Sequence, residues 1–250
     1  MQINIEELSV GDTLRFGAAV RGSCDGASSL EDGATRVARL LHAALRDRHG
    51  EGTVVLSRVY KTHAAGDLPA DLTAKATELL GKPPKRRTPC LVLLGTAGDR
   101  AEWNDRRQSR GHQVIPLPSE DAIARLPMIA TLIRQLGVPT GAILDSEPEL
   151  LLDLRERVFN VFHVEDAAAS PSIPAKDFVA DHGVRSAFGF GGLLLGSDLF
   201  AAVVFTRCPI SRETAELFKT LALNVKLALL PLASGPLFTE TSDGEATVMS

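Results

Sequence analysis

The chain is poor in cysteine and in aromatic residues. Its three cysteines, Cys24, Cys90 and Cys208, are scattered over 250 residues. An odd, dispersed set gives no disulfide framework and fits a reducing, cytoplasmic setting. Aromatics are 5% of the residues, with one Trp and one Tyr, too few for a surface that stacks single-stranded nucleic acid. The formal net charge is −4, so no basic excess points to nucleic acid. The longest apolar runs are too short to span a bilayer. The opening MQINIEELSVGD is acidic and lacks an apolar signal core. We therefore expect no nucleic-acid partner and no membrane partner.

Catalytic and metal motifs are missing too. There is no GxGxxG or GxxxxGKS phosphate loop, no HExxH, no paired CxxC and no GxSxG elbow. The nearest thing to a metal set is His163-x-Glu165 with Asp166 and His182. Alternate residues on one strand serve as readily in a half-solvated sheet. Cys208-Pro209 has a simpler reading, since Pro209 can stop a strand. We expect no catalytic residue and no metal ligand.

What is present is a patterned stretch from Val184 to Pro231. Val184, Ser186, Phe188, Phe190 and Leu194 recur at a spacing of two. Gly196-Ser197-Asp198 tolerates a sharp reversal. The return run Leu199–Thr206 is apolar on both faces, with Leu199, Ala201, Val203 and Phe205 on one and Phe200, Ala202 and Val204 on the other. A strand buried on both faces is central in its sheet. Ser211 can cap a long helix through Leu230. One stripe of that helix, Phe218, Leu221, Ala222, Val225 and Leu229, suits its own sheet. Leu217, Leu223, Leu227 and Leu230 are left over, which predicts a subunit contact.

Upstream, glycines at 11, 17, 22 and 26 argue against a long element, although Ile3, Ile5 and Leu8 suit a short strand or arm. Ser28 and Glu31 have capping-box spacing and open a helix to about residue 48. Residues 53–62 read as a strand, 68–80 as a helix, 89–95 as a buried strand, and KPPKRR at 82–87 as an exposed basic loop. Ser119 caps a helix over 120–136 that Pro127 should kink or divide. A short strand is expected at 140–144, a helix at 147–155, a strand at 158–164 and a short helix at 174–182. The fold class is α+β: an antiparallel sheet flanked by helices, with an insertion and extended tails. A doubly wound parallel rival rests on PCLVLLGTAGD, which lacks phosphate-loop spacing. Residues 1–27 read as an arm, 28–231 as the domain with 97–157 inserted or divergent, and 232–250 as a flexible tail.

Val184-Arg185-Ser186, the glycine hairpin, the apolar central strand and the closing helix together resemble the end of a GAF domain, a GAF/PAS-like sensor fold common in bacterial signalling. Gly189 stands where many members have proline, and Phe200-Ala201 replaces a usual glycine. The resemblance implies a cytoplasmic small-molecule sensor or regulatory module. It would act through a homodimer helix pair on a signalling partner such as a histidine kinase. It leaves the ligand, and any cofactor, unnamed. Two further readings stand beside it: a ligand-free structural or protein-interaction domain, and a cysteine-dependent reductase using Cys90 or Cys208.

The least ordinary stretch is EWNDRRQSRGH, residues 102–112, which holds the only tryptophan amid dense polar groups. A loop after a central strand is where such a fold lays residues over a pocket. We take Trp103, Asn104, Asp105, Arg106, Ser109 and His112 as candidate ligand-binding residues, with Phe188 and Phe190 from the sheet. Trp103 and His112 are expected to flank a cavity that Arg106 enters or covers.

Overall fold

The computed structural model describes residues 1–144, 159–194 and 198–239. The expected helix at 147–155 and the turn residues Gly196 and Ser197 lie outside them. The strands are β1 (Ile3–Asn4), β2 (Leu45–Arg46), β3 (Val54–Ala64), β4 (Pro89–Gly98), β5 (Val114–Pro116), β6 (Phe159–Val164), β7 (Ser186–Leu193) and β8 (Leu199–Thr206). The helices are α1 (Val10–Ser23), α2 (Leu30–Ala44), α3 (Ala70–Leu80), α4 (Glu120–Ala124), α5 (Pro127–Leu136), α6 (Thr140–Leu144), α7 (Lys176–Asp181), α8 (Arg212–Leu217) and α9 (Lys219–Leu229). Among the described residues no helix is long and apolar enough to cross a membrane.

One six-stranded sheet runs β5-β4-β3-β8-β7-β6, every neighbouring pair antiparallel. The alternation in Leu199–Thr206 sorts its side chains as its sequence demands. Phe200, Ala202 and Val204 join α1, α2 and α9 in one core; Leu199, Ala201, Val203 and Phe205 join α4, α5 and α7 in the other. The sheet is thus covered on both faces, and β8 is central. The parallel rival is excluded by the strand directions.

Several local expectations are corrected. The segment before residue 28 carries α1 in spite of its glycines. A capping box between Ser9 and Asp12 starts the helix. Gly17 lets the helix approach α9 closely, because a Cβ there would collide with Asn224. The cap of α2 is Ser29, one residue later than expected, with its hydroxyl accepting from Asp32 N–H at 3.0 Å. That helix stops at Ala44, because Leu45–Arg46 turns aside to pair with Ile3–Asn4. Residues 140–144 form a helical turn, not a strand. Pro139 presets the turn, and its carbonyl accepts from Ala142 N–H at 3.0 Å. Pro127 divides its helix as expected, standing at the first position of α5. The closing helix is broken at Phe218 into α8 and α9, with Ser211 as the cap.

The C-terminal segment is held in place as far as Thr239. The first turn of a helix leaves N–H groups without partners. In α2 those of Leu30 and Glu31 donate to the carbonyls of Pro236 and Leu237, both at 3.0 Å. Leu232, Leu237 and Phe238 pack on the same core.

Candidate functional site

Strand β5 is short. It pairs only with residues 90–92 of β4, so the rest of that edge needs another cover. The connection 99–113 supplies it. Thr96 Oγ1 donates to the Trp103 carbonyl at 2.9 Å, Gly98 N–H donates to Asn104 Oδ1 at 3.1 Å, and Leu93 N–H donates to the Gln113 carbonyl at 3.0 Å. Gln113 fixes the loop from within. Its amide donates to the carbonyls of Arg107 and Ser109 at 2.9 and 2.8 Å, while its oxygen accepts from Lys75 of α3. Asp105 caps a short turn by accepting from Arg107 N–H.

The loop sends side chains to both faces of the sheet. On the helix side Arg106 pairs with Glu31 at 2.5 Å, the two side chains being 8% and 12% exposed. Phe238 lies under the guanidinium at 3.9 Å. Glu31 also accepts from Thr239 N–H at 2.8 Å. One buried ion pair therefore ties the loop, the first turn of α2 and the C-terminal segment together. A cleft of about 530 Å³ opens beside it, bordered by Asn104, Asp105 and Arg106, by Glu31, Asp32, Thr35 and Arg39 of α2, and by Thr239.

On the opposite face the loop meets Arg58. This residue sits mid-way along β3, opposite Thr96 on one side and Val203 on the other. Its guanidinium donates to Ser109 Oγ at 3.0 Å and to the Tyr60 hydroxyl at 3.3 Å. Its Nε is buried without a partner. Among the described residues no ion pair involves Arg58. His112 stands beside it in a left-handed conformation, φ 59°. The imidazole has open surface, yet protein crowds it. That loss of water, followed by the Arg58 charge, lowers its pKa. Trp103 packs edge-on against Phe178 and His182, centroids 5.7 and 4.7 Å away.

The candidate residues thus fall into separate groups. Asn104, Asp105 and Arg106 border the cleft. Ser109 and His112 attend Arg58, and Trp103 belongs to an aromatic cluster. Arg106 is locked to Glu31 and does not enter a cavity between Trp103 and His112; the arginine bonded to Ser109 and beside His112 is Arg58. Phe188 and Phe190 are core residues, fully buried against Phe218 at 4.6 and 6.1 Å, and leave no surface for a ligand. Sequence reasoning missed Arg58, Glu31, Gln113 and Phe238. Only Arg58 carried a signal: a charge inside the apolar run TVVLSRVYKT.

The three thiols are buried. Loss of water raises the pKa of each, that of Cys90 to about 11. A reactive thiolate needs the opposite shift. His163, one of the residues weighed for a metal, spends its Nε2 on the Ile210 carbonyl at 2.6 Å. His182 packs on Trp103, and no metal-holding cluster occurs among the described residues.

No protein-family model matches the sequence, and no curated protein matches it. Solved structures similar to the chain include GAF domains. The GAF domain of a phosphoenolpyruvate-protein phosphotransferase from Coxiella burnetii is 12% identical, covering 88% of this chain and 93% of that one, with a TM-score of 0.48. A putative GAF sensor protein from Burkholderia vietnamiensis is 12% identical over 89% and 94%, at 0.46. The free methionine-R-sulfoxide reductase of Neisseria meningitidis is 11% identical over 88% and 91%, at 0.45. Two of these three are named as GAF structures, the family that residues 184–230 resemble. At such identities and scores they carry no ligand and no activity to this chain.

Proposed function

We propose that the chain is a small-molecule-binding regulatory module, not a catalyst, with the loop 99–113 as its binding element. One observation carries this: a single loop touches a polar seat on one face of the sheet and a buried ion pair on the other. A ligand that orders Ser109 and His112 also acts on Arg106, and through it on α2 and the C-terminal segment. That route gives a bound molecule a mechanical consequence, which a mere edge cover does not need. A thermal-shift screen of nucleotides, amino acids and organic acids tests it. A ligand in excess over its dissociation constant raises the melting temperature, and the loop becomes slower to exchange amide hydrogens. If every compound leaves both unchanged, the module is structural.

The output surface we assign to α1 and α9, which pack against each other. Gly17 faces Asn224, and Arg21 donates to it. Of the four leucines left over in the closing helix, Leu217 and Leu230 are half covered. Leu223 and Leu227 are each 46% exposed, and on α1 Val10 and Leu14 are 63% and 65% exposed. Within the subunit the closing helix packs chiefly on α1 and less on α2. Covering each such side chain is worth up to about 1.5–3 kcal/mol. A two-fold axis uses the patch twice, so we propose a homodimer through these helices that signals to a further protein. Leu223→Glu with Leu227→Glu should convert a dimer to a folded monomer in light scattering. A wild-type chain that is monomeric at high micromolar concentration refutes the dimer.

A further inference from the structure

We propose that Arg58, at the centre of the sheet, is the seat for the carboxylate or phosphate group of a small-molecule ligand. This deepens, and rests on, the reading of the loop as the binding element.

The argument is one of valence. A guanidinium carries five N–H donors in a planar fork and is charged at every physiological pH. Arg58 has two protein acceptors, both neutral hydroxyls. Ser109 Oγ gives its own proton to the Gly111 carbonyl at 3.2 Å, so the Arg58 bond takes one of its lone pairs. The Tyr60 phenol accepts from Arg58 and shows no acceptor for its own proton among the described residues. The Nε proton is buried and has none. A buried or half-buried cation without a counter-ion is costly, and proteins normally satisfy buried polar groups. The comparison inside this molecule is direct: Arg106, on the same loop, has a carboxylate partner, and Lys61, two residues on from Val59, donates to Asp198 at 2.6 Å. Among the described residues Arg58 has no such partner.

The groups around it suit an oxyanion. The planar guanidinium fork can grip a carboxylate or phosphate by two oxygens; with Nε covered by protein, a ligand would meet the Nη groups. Tyr60 adds an O–H donor. The His112 imidazole, beside Arg58, has an N–H that can donate as well. The neighbouring ladder position is apolar, with Leu56 opposite Gly98 and Trp103 packed onto that glycine. A ligand with an anionic end and an apolar or aromatic body fits this sequence of surfaces. The Trp103 backbone is bonded to Thr96, the ladder partner of Arg58, so its indole should report occupancy.

The test uses the full chain with sodium phosphate, sodium succinate, and the neutral succinamide, each at millimolar concentration and constant ionic strength set with chloride. Melting temperature and Trp103 fluorescence are followed for wild type, Arg58→Gln and Arg58→Lys. We expect phosphate or succinate, but not succinamide, to raise the wild-type melting temperature and shift its fluorescence. The anion that acts identifies the headgroup. Arg58→Gln should bind at least about tenfold more weakly, the loss expected on truncating one partner of a charged contact, with Arg58→Lys in between because it keeps the charge and loses the fork. Without ligand, Arg58→Gln should melt at or above the wild type, since it removes an uncompensated cation. If it melts well below, Arg58 is a strut for the loop and the proposal fails. The proposal also fails if anions shift Arg58→Gln and wild type alike, or shift neither. A neutral compound that stabilises both proteins would overturn the anion assignment and leave the ligand-binding reading standing. A full screen in which no compound of any charge acts would end both.

Discussion

Arg106→Met is expected to destabilise the protein by about 3 kcal/mol, because it leaves the buried Glu31 carboxylate without its cation. The pair lies at 2.5 Å with both side chains nearly covered, so water from the neighbouring cleft replaces the guanidinium only in part. The loss also removes the stack on Phe238. Glu31 keeps the Thr239 N–H and its place in the first turn of α2, where the helix dipole favours a negative charge. These hold the estimate near the lower end of what a broken buried pair costs. The double variant Arg106→Met with Glu31→Gln should recover much of the loss. Urea unfolding of the four proteins gives the coupling directly. Hydrogen exchange should show the loop and residues 236–239 loosening together in Arg106→Met. Loosening of the loop alone would mean that the pair does not join the two, and the proposed route from ligand to C-terminal segment would lose its central link.

Gly95→Ala should cost about 3 kcal/mol or more, at the upper end of overpacking. Gly95 lies in β4 where α2 crosses the sheet. A Cβ there would fall on the Ala34 carbonyl and within 2.6 Å of the Thr35 nitrogen. Both are backbone atoms, so no rotamer change relieves the clash, and the helix as a whole must move outward. Gly98→Ala is the useful contrast. There a new methyl meets the Trp103 side chain first, which can shift, so a smaller loss and a changed Trp fluorescence are expected. If Gly95→Ala unfolds at the wild-type denaturant midpoint, α2 does not sit as close to the sheet as described. Since α2 also supplies Glu31, its displacement should weaken the Arg106 clamp as well, and the two variants should prove non-additive.

Much of the sheet was legible in the residues themselves. Alternating apolar residues in Leu199–Thr206 could only be satisfied by a strand covered on both faces, and both cores receive the side chains that this pattern assigned. Pro127, Ser119 and Ser211 act through local backbone chemistry, so helix division and capping at these points were determined by a few adjacent residues. Where expectation failed, the deciding partner was far away in the chain. Glycines in α1 argued against a helix until the closeness of Asn224 gave Gly17 a purpose. Leu45–Arg46 looked like the end of a helix because its partner, Ile3–Asn4, lies some forty residues earlier. The site shows the same division. The polar density of residues 102–112 marked a loop of consequence from composition alone. Which face each side chain serves was decided only by tertiary contact: Arg106 turns to Glu31 and Phe238, Ser109 and His112 turn to Arg58, and Phe188 and Phe190 are claimed by Phe218. Local propensity and periodicity act over a few residues, so a sequence by itself determines elements and their buried faces. Charge pairing, orphaned donors and close backbone approach depend on which distant segments the fold brings within a few ångströms, and these decided the site.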